Sequence, residues 1–248
     1  MKALPVYLIF LFSALIAACG GNKTDIAQNS YKDTIPLVDP NDSALYGMAC
    51  DGFNDTILIV LRSPESDPDT FNILNATRRH RIFGSLHVGD KVAIVQNRAD
   101  STVADIVIDI ETLRATWCYE VMPTVKLRAD MGGKSQSQLL REMQDSVRQQ
   151  FMVAREYGFT IKGEHSISPV FHHDADDEDE ESPVEYAPQR HYRDWSLLNG
   201  DIILAETGID SLGQTYVSRR DTATFLLLNS DSLALRFNSG VQGYYRKR

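Results

Sequence analysis

The dipeptide Asn199-Gly200 stands between two apolar, β-rich runs, "RDWSLL" and "DIILAE", and constrains the fold more than any other short stretch. A two-residue connection between antiparallel strands needs positive φ at both central positions, which asparagine and glycine accept at low cost. The chain then repeats the theme: a loop through Gly208 and Gly213, "QTYVSRRDTATFLLL", the turn "NSDS", "LALRF" and finally "GVQGYYRK". Strand and turn alternate to the C-terminus, so this part of the chain reads as an antiparallel meander.

A second, shorter β region occupies residues 44–112. "LYGMACDG" ends in the turn signal Asp51-Gly52, "DTILIVLRS" is a β-branched apolar run, and "DTFNILNA" and "KVAIVQN" are further strands. In "TVADIVIDI", Ala104, Ile106, Ile108 and Ile110 alternate with Asp105, Val107 and Asp109. Period two predicts one face on a core and the other on solvent. Several strands in so short a stretch predict a small closed barrel, since closure removes the exposed edges of a lone sheet. The turn and strand "VGDKVAIV" resembles those of OB-like and SH3-like barrels. The basic run Arg78, Arg79, His80 and Arg81 reads as a solvated loop, because an anion site needs convergent donors and not charge alone.

Residues 113–248 form the second unit, opened by the strand "LRATWCYEVMP". Leu139, Leu140, Met143, Val147, Phe151 and Ala154 then recur at three- and four-residue steps, the spacing of one helical face. They predict an amphipathic helix over 135–157, stopped by Gly158, after which "FTIKGEHSISPV" returns to extended structure. Residues 172–188 carry eight acids and no Lys or Arg; mutual repulsion predicts a solvated acidic loop there. That block has no glycine turn, so it lacks the layout of a calcium loop, and adjacent His172 and His173 would point apart on a strand.

The remaining sequence speaks of location. The apolar stretch from Leu8 to Ala18 follows Lys2. It is short of the about 20 residues that span a bilayer and suits a signal h-region. Ile16-Ala17-Ala18-Cys19 resembles the bacterial lipobox, in which the cysteine is acylated at its thiol, as with palmitate, and becomes the new N-terminus. Residues 1–18 thus read as a lipoprotein signal peptide, and 19–43, polar and turn-rich, as a tether reaching about 25 to 30 Å if flexible. Acyl chains at Cys19 contribute roughly 0.8 kcal/mol per buried methylene. The formal net charge of −9 argues against nucleic acid, whose phosphates select Lys and Arg. It argues equally against a polybasic membrane contact, leaving the lipid at Cys19 to hold the membrane.

Two other cysteines exist, Cys50 and Cys118. They are either a disulfide, as an oxidising compartment permits, or two buried thiols in strands. Neither has a second Cys or His at ligand spacing, so no metal site is expected, and no cofactor. Ser166, Ser168 and His165 lack a nucleophile-elbow pattern and a third member. The chain is therefore read as non-enzymatic.

"ATWCYEVMP", "YGFTIKGEHSIS", "DWSLLNGDIILAETGIDSLGQT", "DTATFLLLNSDSLALRF" and "GYYRK" together resemble the lipocalin-like domain of Bacteroidales cell-envelope lipoproteins, over Leu113 to Arg248. The resemblance implies a mainly β chain whose C-terminal half is a small antiparallel barrel with a bracing helix. It also implies that Trp117, on the first strand, closes the barrel bottom with Arg246 lying over its ring. A glycine usual two residues before that tryptophan is Ala115 here. The expected function is an envelope lipoprotein, anchored to the outer membrane at its periplasmic face with the cell surface as the alternative, that binds a small or amphipathic ligand at the barrel's other end. The alternative is an interaction or structural subunit of an outer-membrane assembly, with an envelope protein as partner.

Overall fold

A computed structural model describes residues 41–127, 133–163, 165–170 and 182–248. Cys19, His172, His173 and most of the acidic block lie outside the described residues.

The first sheet holds β1 (Leu45–Ala49), β2 (Ile57–Leu61), β3 (Asp69–Asn72), β4 (Ile82–Phe83), β5 (Lys91–Gln96) and β6 (Ala104–Asp109), in the order β3-β2-β1-β5-β6-β4. The sheet curls until Asn72 at the end of β3 bridges Val103 in parallel, with the Asn72 N–H donating to the Thr102 carbonyl at 2.8 Å. That connectivity is the five-stranded, partly open Greek-key ring of OB type, with β4 added at its edge. Helix α1 (Leu74–Arg78) follows β3. Leu58, Val60, Phe71, Val92, Ile94 and Val107 fill the ring.

β6 departs from the alternation read in the sequence. Ala104, Val107, Ile108 and Asp109 are all fully buried, so both faces carry buried residues while Asp105 and Ile106 stay half-buried. The register shift between Val95 and Gln96 on β5 breaks the period, and the strand serves two cores. Val107 points its packing into the small ring, while Ile106 and Ile108 pack against the larger barrel. Asp109 is buried because it caps α2 (Ile110–Leu113): Oδ1 accepts from the Glu111 and Thr112 N–H groups at 2.9 and 3.1 Å, as N-cap carboxylates do.

The second sheet has eight antiparallel strands in the order β10-β9-β7-β16-β15-β14-β13-β12. These are β7 (Thr116–Val121), β9 (Arg155–Ile161), β10 (Ile167–Pro169), β12 (Asp194–Leu198), β13 (Asp201–Ile209), β14 (Thr215–Leu228), β15 (Ser232–Phe237) and β16 (Gly240–Lys247). The ring nearly closes where Ser166 bridges Asp194 and the Trp195 N–H donates to the His165 carbonyl at 3.2 Å. A separate pair, β8 (Thr124–Val125) with β11 (Val184–Glu185), lies outside it. The Asn199-Gly200 turn joins β12 to β13 with φ of 52° and 91°, as its residues require.

The helix expected over 135–157 is instead two short helices, α3 (Gln136–Glu142) and α4 (Asp145–Phe151). Met143 and Gln144 between them are extended in ψ. Of the apolar stripe only Leu139 is buried, so no core pulls the segment into one continuous helix. Residues 155–157 belong to β9, where Tyr157, Phe159 and Ile161 are buried at a spacing of two. Gly158, read as a helix stop, is mid-strand with φ +153°, and a Cβ there would sit 1.9 Å from the Trp117 carbonyl oxygen. Only glycine permits that approach.

The two sheets share one core. Phe83, Ala93, Ile108, Ile110 and Leu113 from the first half cluster with Trp117, Phe225, Leu233 and Leu235 of the barrel. The Gly84 N–H donates to the Leu228 carbonyl at 2.9 Å, and the Phe83 and Phe225 rings lie 5.5 Å apart. Asn199 Oδ1 accepts from the Ser43 N–H and hydroxyl at 2.9 and 2.7 Å. The first sheet thus caps one end of the barrel.

Candidate functional site

The capped end is filled. Trp117 is fully buried, its Nε1–H donates to the Leu113 carbonyl at 2.9 Å, and Arg246, in register with it on β16, sets its guanidinium carbon 5.9 Å from the ring centroid. That separation is the outer reach of a cation–π contact. The structure therefore brings together the two residues that the resemblance paired. Arg246 is also tied down by donation from Nη1 to the Ser230 carbonyl at 3.2 Å.

The other end is open. Strand geometry repeats every second residue, so Tyr119 lies above Trp117 on β7, Tyr157 above Phe159 on β9, and Tyr244 above Arg246 on β16. With Phe159 and Tyr192 their rings make a continuous chain, edge-to-face except for the tilted Phe159–Tyr244 contact. Tyr119 meets Tyr157 at 6.1 Å and Tyr244 at 5.4 Å, and Phe159 meets Tyr244 at 5.2 Å and Tyr192 at 6.3 Å. Over these rings lies a cavity of about 400 Å³. Polar side chains edge it: Arg190, Arg219, Arg220, Asp221, Gln189 and Gln242. Asp221 organises one side, accepting from the Tyr192 hydroxyl at 2.8 Å and from Arg219 Nε at 3.0 Å.

Burial pushes the Tyr192 phenol far above its ordinary value, with the Asp221 bond adding to it. Burial raises Tyr244 and Tyr119 as well. All three stay protonated near neutral pH, and a neutral phenol can both donate and accept. Gln189 donates from Nε2 to the Gly158 carbonyl at 3.1 Å, while its buried Oε1 has no donor among the described residues. The mouth therefore offers apolar ring surface below, three cationic side chains and one carboxylate at the edge, and one unpartnered acceptor. It can hold a small molecule with an apolar body and a polar or anionic edge.

The other sequence candidates fall elsewhere. Cys50 is half-buried just after β1, Cys118 is buried in β7, and both are free thiols; the bridge that the count allowed is not formed. Burial raises the Cys118 thiol, so it is held as a thiol and not a thiolate. His165 turns Nδ1 to the Trp195 carbonyl at 3.0 Å, while Ser166 and Ser168 take part in strand pairing. Arg78, Arg79, His80 and Arg81 are exposed at the end of α1. Among the described residues no group of three or more His, Cys, Asp or Glu could hold a metal ion.

None of the mouth residues was named from the sequence. The signal was present: Tyr119 and Tyr244 are two positions from Trp117 and Arg246, so the alternation that turns that pair inward turns them inward too.

No protein-family model matches the chain, and no curated protein does. Among solved structures, it is similar to a lipocalin-like protein from Bacteroides thetaiotaomicron, at 16% identity and a TM-score of 0.28, over 55% of this chain and 97% of that one. By its own geometry the C-terminal half is a lipocalin-like barrel: eight antiparallel strands, nearly closed, filled at one end and hollow at the other.

Proposed function

We propose that this chain is a non-enzymatic, lipid-anchored envelope protein that holds a small amphipathic ligand in the open end of its barrel. The carrying observation is the chain of Tyr119, Tyr244, Phe159 and Tyr192 rings beneath Arg190, Arg219 and Arg220. The rings take the apolar body, and the arginines and neutral phenols take the polar edge. Anchoring rests on "IAAC" at the end of the h-region, with acylated Cys19 holding the protein to the periplasmic face of the outer membrane.

Native mass spectrometry of the protein extracted from its own envelope tests the reading. Wild type should carry a small-molecule adduct that Arg219→Ala and Tyr244→Ala lose, and Cys19→Ser should move the protein to the soluble fraction.

One observation favours the rival, an interaction subunit. The β13–β14 hairpin carries Ile209, Leu212 and Tyr216 at 75%, 81% and 47% exposure, a projecting apolar tip of the kind that partners cover. Wild type without an adduct but with a stoichiometric envelope protein, lost on Leu212→Asp, would select that reading.

A further inference from the structure

A second concavity, of about 600 Å³, lies away from the mouth, between the outer face of the first sheet and the β12 side of the barrel. Tyr46, Met48 and Leu61 from β1 and β2 form one wall, and Trp195 and Leu197 from β12 the other. Small-molecule sites have this size and favour such junctions, with largely apolar linings. The sheet face behind it is elsewhere covered, since Ala93 and Ile108 pack into the barrel core. Tyr46 and Met48 continue that face at 38% and 42% exposure, so the cleft is the part that the barrel leaves open.

Its charged lining is mainly cationic, Arg62, Lys91 and Arg114 against Glu111, in a chain of net charge −9. Arg62 binds Asp69 through Nε, and Arg114 binds Glu111 through Nη1. Among the described residues those bonds engage one nitrogen of each guanidinium, and a guanidinium carries five N–H donors. Among the described residues, buried Arg114 Nε finds no acceptor, and neither does the buried Nε1–H of Trp195 in the opposite wall.

We propose that this cleft binds a single-chain amphiphile with an anionic head, of the fatty-acid class, its alkyl chain between Met48 and Trp195 and its carboxylate at Arg62 and Arg114. The site is separate from the barrel mouth and stands or falls independently of it.

The test titrates the full chain with octanoate, decanoate, dodecanoate and dodecanol below their micellar concentrations, followed by indole fluorescence and by calorimetry. The chain has two tryptophans. Trp117 is buried in the barrel and Trp195 lines the cleft, so Trp195→Phe should lose the fluorescence change but keep the heat. Affinity should rise about fourfold per added methylene, the equivalent of roughly 0.8 kcal/mol, and dodecanol should bind about tenfold more weakly than dodecanoate, as a lost charge-assisted bond implies. Met48→Glu should weaken dodecanoate at least tenfold while an unchanged melting curve shows that the fold is intact. Absence of saturable binding, or loss on Arg219→Ala with none on Met48→Glu, would overturn the site; equal affinity for dodecanol would overturn the anionic head.

Discussion

The two β rings meet the same requirement, removal of open edges, with opposite consequences. The first is closed by a single parallel bridge at Asn72, and a core of aliphatic side chains with Phe71 fills it. The second has eight strands and more interior than its side chains occupy, so one end is solid around Trp117 and the other is a cavity. A ring of about eight strands is near the size at which side chains only just fill the interior. In such a ring the placement of the large residues decides which part is structural and which can hold a ligand.

That contrast can be broken most severely at Gly158. An alanine Cβ there would meet the Trp117 carbonyl at 1.9 Å, in a φ that L residues rarely adopt. Gly158→Ala should therefore lose more than about 4 kcal/mol in urea titration, at the exceptional end of single substitutions, or fail to fold. A loss under about 1 kcal/mol would mean that β7 and β9 are not so tightly paired. Trp117→Ala removes the plug of the filled end and should cost about 3 to 5 kcal/mol. If stability holds and ligand binding is lost instead, the tryptophan belongs to the cavity.

The smallest effect sharpens the comparison at the ring's own closure. Asp194, beside the Ser166 bridge, is 3% exposed. Burial raises its carboxyl, opposed by the Trp195 backbone N–H and by His165 and Arg220 nearby, and Oδ1 has no donor among the described residues. A carboxyl with a raised folded pKa imposes no penalty below its unfolded value; the penalty grows as pH rises through the folded one. Asp194→Asn should thus match wild type at low pH and gain melting temperature over it as pH rises above the ordinary carboxylate range. A variant that loses stability as pH rises would show that the ionised carboxylate is favourable there.

What the sequence disclosed was local. The meander from Arg193 onward could be read because Asn199-Gly200 and the Asn229–Ser232 turn carry their own backbone demands, and the pairings of β12 through β16 follow. The helix over 135–157 was misjudged because three-and-four spacing describes a face, not whether a core exists to receive it. At "REYGFTI" a period of two competed with it and won, since β7 offered a partner. Asp109 looked solvent-facing because the backbone N–H groups that its carboxylate caps, those of Glu111 and Thr112, belong to the helix that follows. The mouth was legible only in part: alternation turns Tyr119 and Tyr244 inward with Trp117 and Arg246, but their meeting with Tyr192 around one cavity follows only once the barrel curls shut.

That closure has an order in time. β7, the barrel's first strand, finds its neighbour in β16, the last: Trp117 opposite Arg246 and Cys118 opposite Tyr245. During synthesis, which delivers the N-terminal part first, the small ring can form while the apolar face carrying Ala93 and Ile108 still waits for its cover. The barrel cannot be sealed until the final eight-residue strand has emerged. Pairings so distant in sequence slow folding and prolong the life of exposed edges. A protease that removed only Tyr245 through Arg248 would leave β15 largely paired but β7 a bare edge and the shared core unsealed.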